Sequence, residues 1–165
     1  MDTSLANKAD AAPLLPENFS LMARHDAEKR AHAESDGAGP VQEFLAATAA
    51  SLRLWIVAGS VPIKRGDSDR NAQSCLVYDE RGVRVARYDK IHLFDVELPD
   101  RAESYRESAT MAPGDTVVAL DTPVGRLGLS ICYDVRFPEL YRRLQAVGAQ
   151  WLVVPAAFTA ASGEA

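Results

Sequence analysis

The sequence predicts an α/β fold, and three observations carry that prediction. Apolar runs of strand character, such as "LWIVAGSVP" and "WLVVP", alternate with runs at helical spacing. Two pairs of strand-like runs are each joined by a short turn, "ERG" and "TPVG", which reads as two hairpins. The chain has 165 residues, 47% of them apolar, so it is the size of one domain and can bury a real core.

In chain order, "APLLP" suggests a short buried strand, weakened by Pro13, that runs directly into Glu17-Asn18-Phe19. The soft patch "AESDGAGP", Ala33 to Pro40, predicts a loop between two helical segments. From Val41, "VQEFLAATAASLR" carries Val41, Phe44, Leu45 and Leu52 at helical spacing among alanines, which predicts a helix packed on a sheet. "LWIVAGSVP" then reads as a buried strand, and "AQSCLVYD" with "VRVARYDK" as the first hairpin, ending on Lys90. Ile91 to Gly114 is charged and without period, a long loop of the functional kind, and it holds Glu107. The second hairpin, "TVVALD" and "GRLGLSIC", ends on Cys132. A helix "PELYRRLQAV" closed by Gly148 and a strand "WLVVP" follow.

Composition excludes several classes. Eighteen basic against twenty-three acidic residues give a net charge of -5 without a basic stripe, which argues against a nucleic-acid partner. No apolar run approaches the roughly 20 residues of a membrane span, and the N-terminus lacks the basic-then-apolar order of a signal peptide. Two cysteines, Cys75 and Cys132, are too few for a disulfide scaffold and suit a reducing compartment, so a cytoplasmic location is expected.

The question of chemistry centres on Cys132. It ends a strand just before a helix, where unsatisfied backbone N–H groups favour a thiolate and can supply an oxyanion hole. One such donor is worth about 3 kcal/mol of transition-state stabilisation. The plain alternative is a buried, inert cysteine. No histidine pairs with it by spacing: His25 and His32 sit in an alanine-rich helical region and His92 stands alone, with no metal-ligand pattern. The remaining ionisable groups at strand ends are Glu17 and Lys90. Each has an ordinary reading, a first-turn glutamate and a surface lysine, but strand ends are where functional groups converge in α/β folds.

The stretches "LLPENF", "YDKIHLFDVELP", "YRES" and "GRLGLSICYDVRFPELYRRL" resemble the three catalytic blocks of the nitrilase-like carbon-nitrogen hydrolases, in order and over nearly the whole chain. The resemblance implies an α-β-β-α sandwich and a site with Glu17 as general base, Lys90 as stabilising cation and Cys132 as nucleophile. It also implies that Glu107 helps to hold the lysine and the substrate, and that the Tyr133 backbone N–H serves the oxyanion. No metal or organic cofactor is required. The substrate is a small amide, and assembly is a homodimer or higher oligomer through "FPELYRRLQAVG".

Within the family the wording around "KIHLFDVELP", "CYDVRFPELYRRL" and "VPAAFTAASGEA" is nearest to deaminated glutathione amidases, with omega-amidases next. Both act on carboxylate-bearing amides. Arg136 is then a candidate for the carboxylate, or a salt-bridge partner of Asp134 or Glu139. Labelling of Cys132 alone by an electrophile is expected, with suppression in Glu17→Gln.

Family members begin with a further strand and helix and continue beyond "TAASGEA", so residues 1–165 are expected to form a single but partial carbon-nitrogen hydrolase domain. A non-catalytic remnant that pairs through an exposed sheet edge is the alternative from another class. A thiol redox protein is a third, without a C-x-x-C motif to support it.

Overall fold

A computed structural model describes residues 12–23, 26–66, 68–98 and 103–158. The N-terminal stretch read for a signal peptide, His25 and the final "TAASGEA" lie outside the described residues.

Alternation along two strands builds the layers. β1 (Ile56–Ile63) and β2 (Ala72–Tyr78) pair antiparallel and are buried along their whole length. β3 (Arg84–Asp89) pairs antiparallel on the far side of β2, giving the order β1-β2-β3. Ile56, Ala58, Leu76 and Tyr78 point to one face, where they meet Leu45 and Ala49 of a helix. Val57, Cys75 and Val77 point to the other, where they meet Leu127 and Leu129 of a second sheet.

That second sheet pairs β6 (Ala119–Thr122) antiparallel with β7 (Gly125–Leu129), and β7 parallel with β8 (Trp151–Val153). Helix α3 (Pro138–Ala146) covers its outer face. An added Cβ at Gly128 would lie 3.1 Å from a Leu144 methyl, so the missing side chain lets helix and strand approach closely. The layer order is therefore α-β-β-α, as expected. α3 ends as predicted, with Gly148 in the left-handed region at φ 86.

A short helix α1 (Asp26–Ala31) precedes α2 (Pro40–Leu52), with the predicted loop between them. The α2 face differs from expectation. Gln42, Leu45 and Ala49 are buried, whereas Phe44 is 61% and Leu52 48% exposed. A buried polar network sets the helix rotation. Glu34 accepts hydrogen bonds from the N–H groups of Val41 (2.6 Å) and Gln42 (3.2 Å), capping the helix. The Gln42 amide donates to Glu34, Ser35 O and Ala38 O. The loop's backbone needs that amide inside, so Phe44 turns outward.

The long segment after Lys90 is also more ordered than expected. β4 (Asp95–Leu98) and β5 (Glu103–Arg106) form a hairpin of their own, followed by a 3-10 turn at Glu107–Ala109. Val96 and Tyr105 are half-buried between exposed Asp95, Glu97, Ser104 and Arg106, but strands of four residues are too short for that alternation to stand out in a charged segment.

Gly59 and Ser60 occupy a shift in the β1–β2 register between Ala58 and Val61. Here the segment leading to Glu17, expected as a short buried strand, runs parallel beside β1 with a single bridge from Leu14 to Val57, and an added Cβ at Gly59 would lie 2.1 Å from the carbonyl oxygens of both Leu15 and Pro16. A Gly59→Ala variant is expected to lose about 1–3 kcal/mol of stability by overpacking. Urea unfolding checks this, and an unchanged midpoint would show that the close approach tolerates a side chain.

Candidate active site

Three chain segments converge on one buried ammonium. Lys90 follows β3 and is held in place at its backbone, its N–H donating to Gln73 O (2.9 Å) and its carbonyl accepting from Gly114 N–H (2.8 Å). Its Nζ lies 2.9 Å from Glu107 Oε2 and 3.3 Å from Glu17 Oε1. Lys90 is 2%, Glu17 6% and Glu107 12% exposed. Burial works against the lysine's charge, but the Glu107 and Glu17 carboxylates outweigh it and hold its pKa above the ordinary lysine range.

Each carboxylate has a second anchor. Glu107 starts the 3-10 turn, and its Oε2 also accepts from Phe94 N–H at 2.7 Å. Glu17 Oε2 accepts from Ala157 N–H at 3.0 Å, in the segment beyond β8. Its neighbour Asn18, at φ 55, donates its N–H to Ser60 Oγ (3.0 Å), and Gln73 Nε2 donates to Asn18 Oδ1 (2.6 Å) and Ser60 Oγ (2.7 Å). The register shift in β1 thus presents Ser60 to the loop that carries Glu17.

Cys132 adjoins this cluster on a sharper turn than the sequence suggested. β7 ends at Leu129, and Cys132 opens a 3-10 turn, Cys132–Arg136, at φ 45. A non-glycine residue in this region costs about 1–3 kcal/mol, which the surroundings must supply. Its own N–H donates to Pro155 O (2.9 Å), and none of the described residues accepts from the Tyr133 N–H.

The expected thiolate is not favoured in this state. Burial first, then the charge of Glu17 and the hydrogen bond to it, push the Cys132 thiol up to about 12. Lys90 and the Ala157 N–H pull the other way and do not win. The short 3-10 turn does not supply the helix field that the sequence reading relied on, and the carboxylate at its side dominates. Cys75, in β2, is fully buried and likewise pushed up to about 12 by burial; both thiols are free.

Asp134, two residues after Cys132, is expected from the sequence only as a salt-bridge partner for Arg136, and the structure gives it a larger part. It is fully buried and accepts four hydrogen bonds: from Tyr88 OH (2.7 Å), Ile131 N–H (2.9 Å), His92 N–H (3.0 Å) and His92 Nδ1 (2.7 Å). His92 stacks on Phe137 with ring centroids 3.7 Å apart. His92 therefore serves the turn rather than the thiol. The signal that could have found it is its place two residues beyond Lys90.

Glu17, Lys90, Glu107, Cys132 and Tyr133 all line one cavity of about 250 Å³. Arg136 does not line it: it lies exposed on the 3-10 turn. Of the two carboxylates suggested as its partners, Asp134 is engaged as above and Glu139 also meets Arg142 at 3.2 Å. Among the described residues no three His, Cys, Asp or Glu side chains gather where a metal could be held, and no helix is long and apolar enough to cross a membrane.

With this geometry in place, comparison with known proteins is informative. Residues 13–164 match the family described as carbon-nitrogen hydrolase. The chain is 47% identical over 153 residues to a deaminated glutathione amidase of Yersinia enterocolitica, covering 92% of this chain and 53% of that protein. It is 36% identical over 161 residues to the chloroplastic omega-amidase of Arabidopsis thaliana, covering 96% and 43%. The NitFhit protein of C. elegans superposes with a TM-score of 0.81 at 36% identity, over 93% of this chain and 37% of that one. An amidase from Nesterenkonia sp. AN1, solved as a Glu-to-Gln mutant after Michael addition of acrylamide at its active-site cysteine, gives 0.73 at 27% identity, over 89% and 54%. The chain spans about half the length of the curated relatives it matches. On the family match, the identity to these relatives and the shared fold, this chain belongs to the carbon-nitrogen hydrolase family.

Proposed function

We propose that the chain carries the site of an amidohydrolase that cleaves a small carboxylate-bearing amide through a cysteine thioester, with a deaminated glutathione-like amide as substrate. The observation that supports this best is the grouping of Glu17, Lys90 and Glu107 around Cys132 at the floor of one cavity. The higher identity to a deaminated glutathione amidase than to an omega-amidase favours the first substrate class over the second.

The steps follow from the geometry. Glu17 takes the thiol proton as sulfur attacks the amide carbon, and the carbonyl π pair moves onto oxygen. The oxyanion is met by Lys90 and by the unshared Tyr133 N–H. As the C–N bond breaks, the Glu17 carboxyl returns its proton to the departing amine, leaving a thioester on Cys132. Glu17 then deprotonates a water that attacks the thioester, and the acid leaves as the thiol is reprotonated. Glu107 acts through Lys90, holding the ammonium between two carboxylates. Association of two copies through α3 belongs to the same reading, and sedimentation of the purified chain tests it.

Release of the dipeptide from deaminated glutathione, and of ammonia from a panel of omega-amides, is the direct test. Turnover by the 165-residue chain and none by Cys132→Ala is the expected result; full turnover by Cys132→Ala would remove the assignment.

The electrostatics reverse one expectation about Glu17. Its negative charge and hydrogen bond are among the causes that raise the thiol's pKa, whereas Lys90 lowers it. Glu17→Gln should therefore cut hydrolysis by about 10³-fold, within the range for a general base, while acrylamide still adds to Cys132. The pH midpoint of that alkylation should fall below the value near 12 that the thiol has with Glu17 in place. Mass spectrometry across a pH series reads both effects, and an unmoved or higher midpoint would contradict the role given to Glu17.

A further inference from the structure

Two cations line the cavity without belonging to the buried cluster: Lys29, half-buried on α1, and Arg106, exposed at the end of β5. Among the described residues neither is in an ion pair. Asp95, opposite Arg106 in the hairpin, accepts from Ser108 N–H at 3.0 Å; it is not ion-paired with Arg106, although, after its hydrogen bonds with Ser108, the nearby guanidinium charge helps to lower its pKa. With Lys90 they set three cations against the carboxylates of Glu17 and Glu107. On a chain of net charge -5, this cavity is a local concentration of positive charge.

That charge is sorted by depth. The floor holds two carboxylates around one ammonium, all nearly buried, and so disfavours another anion beside Cys132. Lys29 and Arg106 are more exposed than Glu17, Lys90 and Glu107, and neither carboxylate of the floor forms an ion pair with them. A ligand with an amide at one end and a carboxylate at the other is then oriented in one sense, amide inward.

We infer that Lys29 and Arg106 hold the free carboxylate of the substrate at the cavity mouth, selecting omega-amides of acids over neutral amides. Arg106 offers a planar fork that suits a carboxylate, and Lys29 adds a point charge from a different element. This assigns to Lys29 and Arg106 the part first considered for Arg136. It rests on the amidase reading of the same cavity.

The test follows the initial rate of acrylamide addition to Cys132 in the presence of glutaramate, which ends in a carboxylate, or butyramide, which does not. In the Lys29→Gln/Arg106→Gln double variant, the glutaramate concentration for half-protection should rise roughly tenfold, as expected for losing charge-assisted bonds. The butyramide value should stay put, and Arg136→Gln should match the unaltered protein. An equal shift for both probes, no shift for glutaramate, or a selective shift in Arg136→Gln overturns the inference. Ammonia release is read in parallel. Loss of selective protection with no turnover of either amide supports this carboxylate site while removing the hydrolase reading.

Discussion

A lysine that is 2% exposed must be paired, and this single requirement organises the molecule. Removing one partner of a buried ion pair costs about 3–5 kcal/mol, so the two carboxylates around Lys90 are as much a condition of folding as of chemistry. They come from opposite directions. Glu17 arrives beside the shifted register of β1, where only a glycine fits, and Glu107 arrives on the 3-10 turn that ends the β4–β5 hairpin. The sheet β1-β2-β3 fixes the lysine backbone between Gln73 and Gly114, so the ammonium's position is set by strands rather than by a flexible side chain.

The nucleophile's turn is tied to the same strand. Tyr88 and His92 lie two residues before and two after Lys90, and both donate to Asp134. Burial and the neighbouring Asp134 charge push the Tyr88 phenol well up, so it stays a donor. One buried carboxylate thus joins the segment bearing the cation to the turn bearing the thiol across the interface between the two sheets. Four hydrogen bonds to a single fully buried group offset part of the cost of holding Cys132 at φ 45.

How far these features were legible depends on whether they are local. The apolar runs "IVAGSVPI" and "AQSCLVY", the turn chemistry of both hairpins and Gly148 after α3 are local, and they placed the layers. Glu17, Lys90 and Cys132 stand out in the sequence as groups after strand-like runs, although only Lys90 directly follows a strand, and a family resemblance gives them roles. The rotation of α2 was not, because it follows from Gln42 meeting carbonyls of the preceding loop rather than from its apolar residues. The thiol's electrostatics were not visible either, since they depend on how near Glu17 lies to Cys132 in space, 115 positions away in the chain. Asp134 is read from the sequence only as a salt-bridge partner for Arg136, and nothing local to Lys29 marks it out.

The high pKa of Cys132 fits the proposed chemistry once charge is followed through the site. With the thiol protonated, the floor holds two carboxylates and one ammonium. A resting thiolate would add a second uncompensated negative charge in a place largely shut off from water, a cost that burial makes steep. Moving the proton to Glu17 during attack leaves the total unchanged, since one anion is exchanged for another. In the proposed mechanism the new negative charge then passes to the amide oxygen, where Lys90 and the Tyr133 N–H meet it. The site therefore has no need to store a thiolate. It needs a base adjoining the sulfur and a cation fixed in advance, and the pairing of Lys90 with two carboxylates keeps both in place before any substrate arrives.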